Sequence, residues 1–213
     1  MPTSQPSGPR MSRPLNANSK PTDSTDPAIV SRDSRSRGYN ELEYAIRFPR
    51  VEERLGQDEE WCEVNFDGQW QRIRFHDYDQ IYNIPGLYEA LFYKALHCTS
   101  PKRVAKLLSE ELGDADVSAT DLRVLDVGAG NGMMGERLAD LGVQRVVGVD
   151  ILPEAKMAAQ RDRPEVYGDY LVADLTALNT EEQQRLESHR FNAMTTVAAL
   201  GFGDMPPRAF ATA

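Results

Sequence analysis

Cysteine is nearly absent from this 213-residue chain. Cys62 and Cys98 stand far apart, with neither a Cys-x-x-Cys unit nor His at ligand spacing. That excludes a signalled disulfide framework or zinc site and leaves two reduced thiols. Long apolar runs are missing too. No stretch approaches the roughly 18 residues of a membrane span, and the first residues lack the apolar core of a signal peptide. The expectation is a soluble, cytoplasmic protein. Arg and Ser near the N-terminus suggest an organelle transit peptide, but Pro2, Pro6, Pro9, Pro14, Pro21 and Pro27 would interrupt the amphipathic helix it needs. Large apolar residues are also scarce in residues 1–38, which cannot bury enough surface to offset the entropy of ordering. This stretch, with Ser-Arg pairs at Ser31-Arg32, Ser34-Arg35 and Ser36-Arg37, is expected to be a disordered tail.

Positive charge is in short supply outside that tail. The formal net charge is −9, yet Met1–Asn40 holds six Arg or Lys against three Asp, so the excess of acid falls wholly on the remainder. An acidic body lacks the basic footprint that a phosphate backbone requires. No nucleic-acid partner is expected; a small-molecule substrate fits better.

What the sequence does contain is a change of pattern along its length. Residues 39–115 read as an accessory region. Trp61–Phe66 and Gln69–Phe75 flank Asp67-Gly68, a favoured two-residue hairpin turn. Apolar residues at helical spacing predict a helix over Ile84–Leu96. Ser100-Pro101 then offers an N-cap with Pro at the first helical position, Val104, Leu107, Leu108 and Leu112 form an apolar stripe, and Gly113 supplies a stop.

Residues 116–213 read as a second unit. Short β-branched runs alternate with helices: Leu122–Val127, Gly132–Leu141, Arg145–Val149, Pro153–Arg161 and Tyr170–Ala173. This βαβαβ order implies a parallel sheet with right-handed crossovers, an α/β fold. A further helix capped by Thr180 and Gln183 is predicted before an apolar strand over Phe191–Leu200, which should be covered on both faces.

The first strand of this unit runs into Asp126-Val127-Gly128-Ala129-Gly130-Asn131-Gly132, a glycine turn opening a helix. In open α/β sheets ligands bind there, because glycine lets the backbone approach closely and the helix N-terminus presents free N–H groups. A phosphate-cradling P-loop needs Gly-Lys-Ser/Thr, and Met133-Met134 stand in its place. A dinucleotide fingerprint needs its third glycine where Met133 stands. A nicotinamide-binding oxidoreductase is therefore the weaker alternative.

The acidic residue followed by Gly-x-Gly-x-Gly resembles motif I of class I S-adenosylmethionine-dependent methyltransferases. Two further strand ends agree with it: Val149-Asp150-Ile151 and Ala173-Asp174-Leu175. The resemblance implies a Rossmann-like three-layer sandwich with strands in the order 3-2-1-4, and S-adenosyl-L-methionine as cofactor. It implies that Gly128, Ala129, Gly130, Asn131 and Gly132 wrap the methionine portion and that Asp126 meets its amino group. Asp150 would hold the ribose, Ile151 would pack on the adenine, and Ala173, Asp174 and Leu175 would meet the adenine edge. Capping of the following loops is the alternative role for the three carboxylates.

Catalytic residues are less legible. In this superfamily the region before the first strand often forms a lid, which makes His76 a candidate base and Tyr82 and Tyr88 candidates to line the methyl site. His97 and His189 read as helix C-terminal residues, and Pro206-Pro207 as the start of a further helix. The resemblance implies three more strands, whereas only Arg208–Ala213 remain after that point. The expectation is a methyltransferase acting on a small molecule, with a core incomplete at its C-terminus. A truncated or non-catalytic cofactor-binding module is the alternative. Strand four would then be an open edge, available for self-association.

Overall fold

A computed structural model describes residues 44–50, 55–56, 59–201 and 205–212. The predicted tail lies outside these residues. The N-terminal unit is a three-stranded antiparallel sheet, β1 (Ile46–Arg47), β2 (Trp61–Phe66) and β3 (Gln69–Arg74), in that order. Its hairpin turns where expected, with both Asp67 and Gly68 at positive φ. One face buries Ile46, Cys62, Val64 and Ile73 against Ile81, Leu87, Ala90 and Leu91, so the hairpin packs on the helices that follow it. Burial of Cys62 pushes its thiol up to about 12, with neighbouring Glu63 adding to the effect, which makes it an unreactive packing residue.

Those helices differ from the expected one. A short α1 (Tyr78–Asn83) comes first, and the Pro85-Gly86 break separates it from a π-helical segment, Glu89–Ala95. The wider turn of a π-helix leaves no mark in a 3.6-residue periodicity. The next helix, α2 (Ser100–Asp114), starts after Thr99 and passes through Gly113; the left-handed residue beyond its end is Asp116. Its buried stripe is Pro101 and Ala105 with Val104, Leu108 and Leu112 partly covered, while Leu107 is exposed. Leu107 lies two residues, or about 200° of helix, from Ala105, so it faces away.

The second unit is α/β. Strands β4 (Arg123–Val127), β5 (Arg145–Asp150), β6 (Asp169–Val172) and β7 (Ala193–Thr196) form a parallel sheet ordered β6-β5-β4-β7, the 3-2-1-4 arrangement expected. Helices α3 (Met133–Asp140), α4 (Pro153–Asp162), α5 (Thr180–Ser188) and α6 (Pro207–Thr212) complete it. Side-chain alternation along the strands makes three layers. Val124 and Val146 pack with Ala105, Met134 and Leu138 on one face, and Leu125, Val127, Val147 and Val149 with Leu186 and Ala209 on the other.

Two boundaries shift. The capping box of α5 is Asn179 and Glu182, one residue before the expected Thr180 and Gln183: Asn179 Oδ1 accepts the Glu182 N–H at 2.9 Å and Glu182 Oε2 accepts the Asn179 N–H at 2.9 Å. The strand expected over Phe191–Leu200 is limited to Ala193–Thr196, because Ala198 turns to φ 58° and the chain leaves the sheet. Nor is it covered on both faces; it pairs with β4 on one side, and Met194 is exposed. Among the described residues no helix is long and apolar enough to cross a membrane.

Replacing Asn179 by Ala should cost about 1 kcal/mol in a urea unfolding titration, whereas Thr180→Ala should change stability by less than about 0.5 kcal/mol.

Candidate active site

All four parallel strands end at one edge, and a cleft of about 460 Å³ opens there. Its floor is built by Gly128 after β4, Asp150 at the end of β5 with Ile151 after it, Ala173–Thr176 after β6, and Val197–Ala199 after β7. Its lid is the segment around α1, which presents His76, Tyr78, Asp79, Tyr82 and Tyr88. The lid rings stack on one another, Tyr78 on Tyr82 at 6.2 Å and Tyr82 on Tyr88 at 5.1 Å between centroids.

The glycine turn is held to the end of β5 by three successive donors. Gly128 and Ala129 N–H both donate to the Val149 carbonyl, at 2.9 and 3.1 Å, and Gly130 N–H donates to Asp150 Oδ2 at 2.9 Å. Tyr170 from β6 adds its hydroxyl to the Gly130 carbonyl at 2.8 Å. Gly128, Gly130 and Gly132 all have φ between 54° and 89°, a region in which a Cβ is strained. The turn is also covered: a Cβ on Gly130 would fall 2.5 Å from the Tyr82 hydroxyl, and one on Gly128 would fall 2.6 Å from Ala199 Cβ.

Asp150 sits where turn and cleft meet. Its Oδ1 accepts the Leu152 N–H at 3.0 Å, which fixes the carboxylate with acceptor capacity to spare. Burial raises its pKa, and the N–H groups of Leu152, Gly130 and Ile151 work against that rise. Ile151 beside it is 63% exposed, an apolar surface at the cleft rim without cover from the protein.

Asp174 also lines the cleft, but its Oδ1 accepts both the N–H and the hydroxyl of Thr176, at 2.8 and 2.7 Å. Those bonds hold its carboxyl below the usual range and cap the loop after β6. Of the other expected contacts, Gly128, Ile151, Ala173 and Leu175 line the cleft, as do His76 and Tyr82; Asp126, Ala129, Gly130, Asn131 and Gly132 do not.

Asp126 points to the α3 face instead. It is buried, and Tyr167 Oη and Thr195 Oγ1 donate to its two oxygens at 2.7 and 2.8 Å. Desolvation pushes its pKa up to about 6 against those two bonds, with Asp150 adding to the rise. Sequence reasoning did not find either partner: Tyr167 belongs to the loop before β6, and Thr195 reaches Asp126 only through strand pairing.

A second buried network ties lid to core. Arg163 Nη1 donates to Glu89 Oε1 at 2.7 Å, and Asn131 Nδ2 donates to the same oxygen at 2.8 Å. Arg161 bridges Asp162 at 2.5 Å and donates to the Tyr82 carbonyl at 3.0 Å. The π-helical segment and α1 are thus each pinned to the end of α4.

Because Asp126 has a higher pKa folded than unfolded, it favours the native state at low pH, and that contribution is lost as pH rises from about 4 through about 6. Asp126→Asn should flatten the stability profile in this window by on the order of 3 kcal/mol, measured by urea titrations at successive pH values.

Residues 124–211 match a family model described as a methyltransferase domain. The ubiquinone biosynthesis O-methyltransferase of Ruegeria sp. is 32% identical over 95 residues, which cover 40% of this chain and 38% of that protein. The chain therefore spans well under half the length of the curated relative it matches. Among solved structures, the Thermoplasma acidophilum protein 1320 is 21% identical, with a TM-score of 0.29 over 48% of this chain and 47% of the other. Streptomyces venezuelae DesVI is 14% identical, with a TM-score of 0.31 over 46% and 35%. With its glycine turn, its acidic strand ends and its β6-β5-β4-β7 sheet, the segment 124–211 has a Rossmann-like fold and is similar to class I S-adenosylmethionine-dependent methyltransferase domains, a similarity that implies S-adenosyl-L-methionine as cofactor.

Proposed function

We propose that this chain transfers a methyl group from S-adenosyl-L-methionine to a small-molecule acceptor in the cleft beneath α1. The observation that carries the reading is Asp150: a carboxylate lining the cleft, oriented by backbone N–H groups on both oxygens, with exposed Ile151 beside it. That pair fits a ribose with its two hydroxyls and an adjoining adenine.

In this reading Asp150 accepts the ribose hydroxyls, Ile151 packs on the base, and Ala173 and Leu175 close its other side. Gly128 and Gly130 admit the methionine portion once Tyr82 and Ala199 have moved aside. When bound, the cofactor supplies a methyl carbon already activated by a sulfonium. What remains for the protein is alignment and exclusion of water. The stacked Tyr78, Tyr82 and Tyr88 cover the cleft, and His76 is the group in its lining suited to take a proton from an acceptor that must lose one. The acceptor is read as a small molecule because the charged side chains of the described lining are acidic, which disfavours a polyanion.

One observation favours a second reading, a cofactor-binding module without turnover. Tyr82 and Ala199 lie against Gly130 and Gly128, so the turn is open to the methionine portion only after they move.

Calorimetric titration with S-adenosylmethionine, S-adenosylhomocysteine and NAD tests the cofactor reading. The first two should bind; binding of NAD alone would sink it. Asp150→Ala should weaken S-adenosylhomocysteine binding by about 1.5–3 kcal/mol through loss of charge-assisted hydrogen bonds. Unchanged affinity would remove Asp150 from the site, and cofactor binding without methyl transfer to any acceptor of a broad panel would favour the second reading.

A further inference from the structure

The cleft walls differ in character. On the lid side Asp79, in the first turn of α1, is an exposed carboxylate that lines the cleft beside His76 and Tyr78, whose rings meet edge-on at 5.9 Å. On the β7 side the lining is apolar, from Val197 and Ala199 to Met205 and Ala209. Asp150 and Asp174 are the other carboxylates of the described lining.

These groups divide by task. Asp150 is engaged by the glycine turn and faces the ribose in the reading above, and Asp174 is engaged by Thr176. Asp79 has neither role, and it lines the same cleft as the His76 imidazole. A carboxylate or phosphate acceptor would bring like charge against three carboxylates. A neutral hydroxyl would donate to the Asp79 carboxylate a bond charged on one side alone, without the attraction between opposite charges that an ammonium adds. An ammonium would gain a charge-assisted bond, while an apolar skeleton covers the Met205 and Ala209 side.

We propose that the methyl acceptor is an amine on an apolar skeleton, held as its ammonium by Asp79 and relieved of a proton by His76. This rests on the reading of the cleft as a methyl-transfer site. The ammonium gives one proton to the imidazole, and the freed nitrogen lone pair forms a bond to the methyl carbon. The carbon–sulfur bond breaks with its electron pair left on sulfur as a neutral thioether. The product leaves as a methylammonium, and His76 returns its proton to solvent.

The test is a binding titration on the 213-residue chain loaded with S-adenosylhomocysteine. The ligands are apolar amines, each set beside the alcohol and the carboxylate of matching skeleton, for example phenethylamine, phenethyl alcohol and phenylacetate. Amines should bind about tenfold tighter than their partners. Asp79→Asn should abolish that preference with the S-adenosylhomocysteine affinity unchanged, and Asp79→Glu should restore part of it. With S-adenosylmethionine in place of the product, mass spectrometry should find the N-methylated amine. Equal or tighter binding of the alcohols or carboxylates, or no binding by any amine to the loaded protein, overturns the proposal. Failure to bind S-adenosylhomocysteine is a different result: it overturns the cofactor reading beneath it.

Discussion

Three consecutive N–H groups, those of Gly128, Ala129 and Gly130, end on two residues at the tip of β5, and the geometry of the whole cleft follows from that attachment. A strand-to-helix turn with its donors unpaired would be costly at a partly buried sheet edge. Here the Val149 carbonyl and the Asp150 carboxylate take them up. The same contacts draw the first two parallel strands level at their C-terminal ends and leave the cleft side of Asp150 free for a ligand. Positive φ at three glycines is the conformational requirement for this arrangement, and the close approach of Tyr82 and Ala199 is made possible by their lack of a side chain.

The lid depends on a separate set of interactions. Glu89, Asn131 and Arg163 meet with little solvent access, and Arg161 fastens the Tyr82 backbone to α4 beside its own bridge to Asp162. Asp162 is buried, and desolvation pushes its pKa up to about 6 against the pull of Arg163. Buried ionic groups of this kind contribute little net stability compared with apolar packing, yet losing one partner leaves a charge stranded. Their effect is on placement: the lid cannot rise from the glycine turn without breaking them. Asn131, expected to touch the cofactor, takes part in this link through its Nδ2 bond to Glu89, and Asp126 is engaged by Tyr167 and Thr195 beneath the turn.

Much of the α/β unit was legible because its signals are local. β-branched runs at β4, β5 and β6, separated by helical spacing and glycine or Pro starts, identify the elements, and their alternation dictates a parallel sheet. Errors arose where a local cue was ambiguous by one residue or where tertiary context prevailed. Asn179 and Thr180 are both competent caps, and only the geometry of the loop after Asp174 selects the first. Val197–Leu200 is apolar enough for a strand, but Ala198 takes a left-handed conformation and Val197–Ala199 turn to line the cleft. The π-helical segment follows no spacing that a 3.6-residue period would reveal.

By itself the sequence determined the α/β architecture and three acidic strand ends around a glycine turn, since each depends on residue types at short range; the strand order was implied by the family resemblance and is set by pairing between strands. Tertiary structure alone decided which of those carboxylates faces the cleft. Asp126 pairs with Gly148, two residues short of Asp150, so it stays within the sheet on Tyr167 and Thr195, while Asp150 is the last residue of β5 and reaches the cleft. The composition of the lid was settled in the same way. His76, Asp79 and Tyr82 lie roughly 45 to 120 residues from the strand ends they cover, and contacts at such separation follow from packing between elements, on which local propensity carries no information.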